Sequence, residues 1–337
     1  MHVAVQGAFR SMTMPQGLVA ELTRLAWCDR AIVGIDRWGH AIRWDRGSGD
    51  GWESTDLRQP APPPHCGHAA TPHWIGGLFL MFGGHVVRLI GLDGVCRFEF
   101  VASGPIRAAA WNGTELFCVV QDGGVLCLDK SLQLVASWDP SLSPIGIEFV
   151  GSDLVLVWGL RQFGTYTRSG AVVRSVADVP GLILGVACGE TCVVLSSVDD
   201  ESFVADLKSN EPPTQIAGFV AGVTPGAVWT VAGGSDKSTV FTRWRERDGR
   251  LVSPSSVSVA WDEWRSQRAT MFEWRPGLYV IPMQGGILAV SEREDGQLQI
   301  ARTIRTEKVV GRALRAPPDA CLLLYEDATL ETVELAL

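Results

Sequence analysis

Short apolar runs separated by polar turns recur along the whole chain. One copy reads Glu115-Leu116-Phe117-Cys118-Val119-Val120, then Gly124-Val125-Leu126-Cys127-Leu128, the turn Asp129-Lys130-Ser131, and finally Gln133-Leu134-Val135-Ala136-Ser137-Trp138. The same phrase runs from Leu78 through the turn Leu92-Asp93-Gly94 to Phe100. It returns at Leu154 with Arg168-Ser169-Gly170, and at Leu278 with Glu294-Asp295-Gly296. Runs of this length that alternate, or are briefly all apolar, predict strands. Gly, Asp and Ser between them predict hairpins that need positive φ. The equivalent turns fall near Gly47, Asp93, Lys130, Ser169, Ser209, Asp248 and Asp295, a spacing of roughly 37–47 residues. That is the period of a four-stranded propeller blade.

A fourth run precedes each hairpin, as in Arg107–Trp111, Ile145–Phe149, Ile183–Ala187 and Arg268–Phe272. Small residues in several of these runs suit the crowded axis of a ring of sheets. The last unit starts near Val309 and continues through Cys321–Tyr325 to Thr329–Leu335, where a further strand is missing. Val3 to Phe9 could supply it, which would close the ring and remove a sheet edge. The expected fold is therefore all-β. It is a single closed propeller domain over residues 1–337, with eight four-stranded blades (seven if one unit is irregular). Residues 1–10 complete the C-terminal blade, 306–337. Two stacked sandwiches would explain the strands but neither the period nor the complementary ends.

The charge balance, 29 Lys and Arg against 37 Asp and Glu, narrows the partners. A formal charge of −8 lacks the basic stripe that nucleic acid needs and gives an anionic membrane nothing to attract. The longest apolar runs, such as Leu78–Phe82, are too short to cross a bilayer. The first ten residues alternate instead of forming a secretion signal. Cys118, Cys127, Cys192 and Cys321 lie inside apolar runs, the usual place of reduced thiols, so a cytoplasmic protein is expected. Most of the thirteen Trp should be packed between sheets.

Departures from the repeat are where function is expected. The stretch from Arg58 to His73 carries five prolines together with His65, Cys66, His68 and His73. Imidazole and thiolate suit zinc, but the spacing fits no standard zinc pattern, and a polar linker is the favoured reading. Cys188 and Cys192 flank a short turn and read as ordinary thiols rather than a redox pair. Trp261, Trp264 and Arg265 form an aromatic, charged cluster between two units, either a docking patch or packing against a blade edge. Trp38 sits at a hairpin tip that has little to cover an indole. Arg24, Arg107, Arg268 and Arg312 begin several first strands, either as a basic ring or as solvated strand ends.

No phosphate loop, nucleophile elbow or His-Glu-x-x-His motif is present. The inner-strand acids Glu148 and Glu273 have no His or Asn in matching positions. Trp44-Asp45, Trp138-Asp139 and Trp261-Asp262 give the chain a loose resemblance to WD-repeat propellers. Leu128-Asp129-Lys130-Ser131-Leu132-Gln133-Leu134 followed by Trp138 resembles the turn of quinoprotein-like, eight-bladed propellers. Leu92-Asp93-Gly94 matches that turn more loosely, and the repeated Ala and Trp docking positions of that family are absent. The chain also looks like the soluble propellers found beside ATPase and von Willebrand A proteins in bacterial multi-component systems. That likeness implies a scaffold docking an AAA+ ATPase or von Willebrand A partner, with no catalysis, cofactor or metal. The candidate contacts are Trp38, Trp261, Trp264, Arg265, His65, His68 and His73. The alternative expectation is a metal-assisted hydrolase or lyase, or a small-ligand binder, at the channel mouth.

Overall fold

A computed structural model describes residues 22–334, apart from 29–30, 37–40, 47–51, 58–73, 76–77, 123, 152, 190, 198–200, 208–210, 234–237, 248–249, 261–270, 284, 317–319 and 326–329. Among the described residues every regular element is a strand, and the strands form eight antiparallel sheets. The first sheet holds Leu22–Cys28, Ala31–Asp36, Ala41–Arg46 and Trp52–Leu57. The second holds Trp74–Ile75, Leu78–Gly83, Val86–Gly91 and Cys96–Val101. The third comprises Ile106–Trp111, Glu115–Val120, Gly124–Asp129 and Leu134–Trp138, and the fourth Gly146–Val150, Leu154–Trp158, Phe163–Thr167 and Val172–Val176. The fifth has Gly185–Cys188, Cys192–Ser196, Glu201–Asp206 and Thr214–Ala217. The sixth has Phe219–Thr224, Ala227–Gly233, Thr239–Arg247 and Arg250–Val259. The seventh has Phe272–Arg275, Leu278–Met283, Gly286–Glu292 and Leu298–Arg305. The eighth has three described strands, Val310–Ala316, Ala320–Tyr325 and Leu330–Glu334.

Each sheet follows chain order, so every pair is a simple hairpin. All seven turn positions read from the sequence fall between the third and fourth strands of a sheet. Gly47, Ser209 and Asp248 themselves lie outside the described residues, yet the strands on either side of each one pair. Of the first strand expected at Arg268–Phe272, residues 268–270 lie outside the described residues; the described strand is Phe272–Arg275, which runs past the expected end. Its register is set from the far end, where Gly277 turns the chain at φ 73° and Trp274 is wholly buried.

Four of the third-to-fourth turns are copies of one loop. In each, residue n donates its amide to the carbonyl of n+4, and n+3 donates back to n. The n positions are Gly91, Asp129, Thr167 and Arg293. Position n+3 needs positive φ and is Gly94, Gly170 and Gly296 in three copies. The third sheet has Leu132 there instead, at φ 58°, a conformation that costs a side-chain-bearing residue ~1 kcal/mol. Its side chain is buried between the second and third sheets, which offsets that strain. Asp93, Asp129 and Asp295 brace these loops by accepting backbone N–H groups at 2.8–3.0 Å.

The period of two explains why the second strands are apolar on both faces. In Glu115–Val120, Leu116, Cys118 and Val120 pack toward the second sheet, while Phe117 and Val119 pack toward the fourth. In Leu278–Met283, Tyr279, Ile281 and Met283 face the sixth sheet, and Leu278 and Val280 face the eighth. Of the seven Trp whose burial is described, Trp44, Trp229 and Trp274 are fully buried, and Trp111, Trp138, Trp158 and Trp244 are half-buried. The chain divides into two compact units, one ending at Val179 and holding the first four sheets, the other spanning Pro180–Leu337.

Candidate functional site

Charged clamps tie neighbouring sheets within each unit. Arg43 of the first sheet donates to the Leu92 carbonyl of the second at 2.8 Å and to Asp45. Arg243, buried in the sixth sheet, grips Glu292 of the seventh with both terminal nitrogens, at 2.6 and 2.8 Å, and also donates to Tyr279. Those bonds from Arg243 hold the Glu292 carboxyl below the usual carboxylate range, assisted by Arg245. Glu246 accepts the Thr191 hydroxyl at 2.7 Å and the Cys192 amide at 2.9 Å, which locks the first turn of the fifth sheet. A Cβ on Gly189 would stand 2.2 Å from that carboxylate and would push it off these donors. The charged ends of these groups are engaged by partners inside the protein. They build the scaffold.

The link from the third sheet to the fourth has a different character. Asp139 accepts the Ser141 amide at 2.9 Å, and Ser141 takes φ 55° to turn the chain. Tyr166 of the fourth sheet donates its hydroxyl to the Pro140 carbonyl at 2.5 Å and packs its ring on Trp138, with centroids 4.7 Å apart. Burial, followed by the nearby Asp139 charge, pushes the Tyr166 phenol above its ordinary value. The link then passes the turn between the fourth sheet's second and third strands. A Cβ on Gly159 would meet the Ser143 carbonyl at 2.7 Å, so glycine permits this approach. On the other side of that turn, Arg161 pairs with Asp178 at 2.8 Å and its carbonyl accepts the Val179 amide.

The result is a cleft of about 800 Å³ between the third and fourth sheets. Its walls include Arg107, Asp122, Trp138, Asp139, Leu142 and Leu160. In an antiparallel meander these positions all belong to one end of the sheets, the end carrying the second-to-third turns and the intersheet links. Leu160, on that turn, is 58% exposed. Among the described residues the Arg107 guanidinium and the Asp122 carboxylate make no hydrogen bond or ion pair, and Asp139 accepts only the Ser141 amide. A second cleft, of about 380 Å³ between the fifth and sixth sheets, is bridged by its own ion pair, Arg250 to Glu211 at 3.7 Å.

The sequence had pointed elsewhere. Trp38, His65, His68, His73, Trp261, Trp264 and Arg265 lie outside the described residues, as does Arg268. Of the arginines read as strand starts, Arg107 is exposed in the cleft. Cys188 and Cys192 are free thiols, and Cys192 is buried. Glu148 accepts the amide of Phe149 at 3.1 Å and Glu273 that of Gly277 at 3.0 Å. Burial raises the Glu148 carboxyl above the usual range. The Asp139–Ile145 link was missed, although Pro140 and Pro144 around Ser-Leu-Ser mark it as another interruption of the repeat.

No protein-family model and no curated protein matches the chain. Solved structures do. The C-terminal WD40 domain of Sif2 is similar with a TM-score of 0.64 at 11% identity, over 95% of this chain and 98% of that one. The WD40 β-propeller domain of Doa1 is similar at 0.56 and 11% identity, covering 94% of each chain. BamB from Moraxella catarrhalis is similar at 0.58 and 12% identity, over 92% of this chain and 95% of that one. At such identities the likeness is one of fold, and it makes the chain a β-propeller repeat protein.

Proposed function

From this fold we propose that the chain is a non-enzymatic interaction platform, one propeller domain over residues 1–337 whose docking surface is the cleft between the third and fourth sheets. The observation carrying this reading is Leu160, an exposed apolar side chain on a turn tied down through Arg161, beside charges that have no ionic partner among the described residues. Preorganised apolar anchors beside a concave surface are how rigid proteins dock partners with little ordering cost. In this reading eight sheets form eight blades, and Val3 to Phe9 complete the three-stranded eighth sheet. The protein works in the cytoplasm, and its partners are an AAA+ ATPase or a von Willebrand A protein of a bacterial assembly.

Co-purification with the tagged full chain tests the reading. A stoichiometric partner should be retained by wild type and lost by Leu160→Asp. Retention by Leu160→Asp but loss by Trp261→Ala plus Trp264→Ala would move the docking surface to that cluster. Absence of any stoichiometric partner would end the platform reading. Elemental analysis separates it from the metal-assisted hydrolase. Stoichiometric metal that disappears when His65, His68 and His73 are replaced would favour the enzyme.

A further inference from the structure

We infer that the cleft between the third and fourth sheets takes an extended peptide segment in which a basic side chain stands next to an apolar one. This inference rests on the platform reading and adds the chemistry of the partner. The apolar half of the match is Leu160, exposed, with Leu142 half-buried behind it. The charged half is a pair of exposed carboxylates in the same cleft. Asp122 has no cation or donor among the described residues, and Asp139 is engaged only by the Ser141 amide. A carboxylate at a cleft wall that has no cationic partner keeps most of its solvation until a cation arrives, and two of them outweigh the single guanidinium of Arg107. The Trp138 indole, packed on Tyr166, lines the same wall. The chain's charge of −8 adds long-range attraction for a basic segment and repels an acidic one.

Arg107 gives the inference its sign. For a basic occupant it is a repulsive neighbour, so its removal tightens binding. For an acidic occupant it is the anchor, so its removal weakens binding.

The test uses the full chain and two sets of labelled octapeptides, capped at both ends, that pair one Leu with two Lys or with two Glu at every spacing. Binding is followed by fluorescence polarisation at two salt concentrations. The Lys set should bind, about tenfold more weakly to Leu160→Ser and to the double variant Asp122→Asn, Asp139→Asn. It should bind more tightly to Arg107→Ala, and more weakly as salt rises. Asn keeps the acceptor for Ser141 and tolerates the φ of 57° at position 122, so the fold should survive, as near-ultraviolet circular dichroism will check. Preference for the Glu set, weaker Lys binding in Arg107→Ala, or no binding by either set overturns the inference. A photo-crosslinker at position 160 separates the two failures. Capture of one protein at stoichiometry without binding of the Lys set sinks the basic chemistry and leaves the platform. No capture and no peptide binding sinks both.

Discussion

The hydroxyl of Tyr166 reaches the carbonyl of Pro140 across 2.5 Å, joining positions 26 residues apart in the chain. Through that bond the fourth sheet holds the link that forms one wall of the cleft, and the same phenol ring supports Trp138. The wall is therefore a tertiary product, built where a strand residue catches a loop carbonyl.

Replacing Tyr166 with Phe keeps the ring stack and removes the bond. The Pro140 carbonyl is left in a buried setting without this donor, and the variant should lose about 1 kcal/mol in urea unfolding. Peptide or partner binding at the cleft should weaken as well, because the link loses its tether. A variant that unfolds like wild type would show that the bond contributes nothing.

Leu132 is the one residue that replaces glycine at the positive-φ position of the four matched turns. Truncation to Ala removes its buried side chain and keeps the strained backbone, costing roughly 3 kcal/mol. Leu132→Gly removes the same side chain but relieves the strain, so it should be the more stable of the two by about 1 kcal/mol. Denaturant melts that rank Ala above Gly would remove the left-handed turn from the explanation.

The Arg243–Glu292 clamp predicts an acid limb. Arg243 holds the folded-state carboxyl of Glu292 below its unfolded value of about 4.3. Its contribution is thus complete above that value and is lost as pH falls through the lower, folded one. Glu292→Gln should destabilise the protein by about 3 kcal/mol at neutral pH, because Arg243 keeps its charge in a buried site. It should also flatten the fall in stability below about pH 4. Thermal melts between neutral and acid pH will show whether the two curves converge.

Burial pushes the Cys127 and Cys321 thiols up to about 12 and raises Cys118 and Cys192 further still. These four should resist alkylation of the native protein at pH 8 and react only after unfolding. Among the six described thiols, Cys96 and Cys188 are half-exposed and should label before the other four. Rapid native labelling of Cys118, read by mass spectrometry, would contradict the burial.

The repeat was legible because it is local. Turn chemistry at Asp93, Lys130, Ser169 and Asp295 depends on residues within four positions, and apolar runs such as Leu116–Val120 announce strands packed on both faces. The buried thiols followed from the same runs. The strand expected to end at Phe272 runs on to Arg275, because the next turn comes only at Gly277 and Trp274 is buried.

By itself the amino-acid order determined the strands, their period and the hairpins that join them, because each is decided by neighbours along the chain. Only the tertiary structure decided that Arg107, Asp122, Asp139 and Leu160 share one cleft. Their meeting depends on contacts between sheets: a phenol reaching a distant carbonyl, and a glycine at 159 letting Ser143 come close. No local pattern encodes which exposed charge finds no partner, since that is settled by every other side chain the folding brings near it.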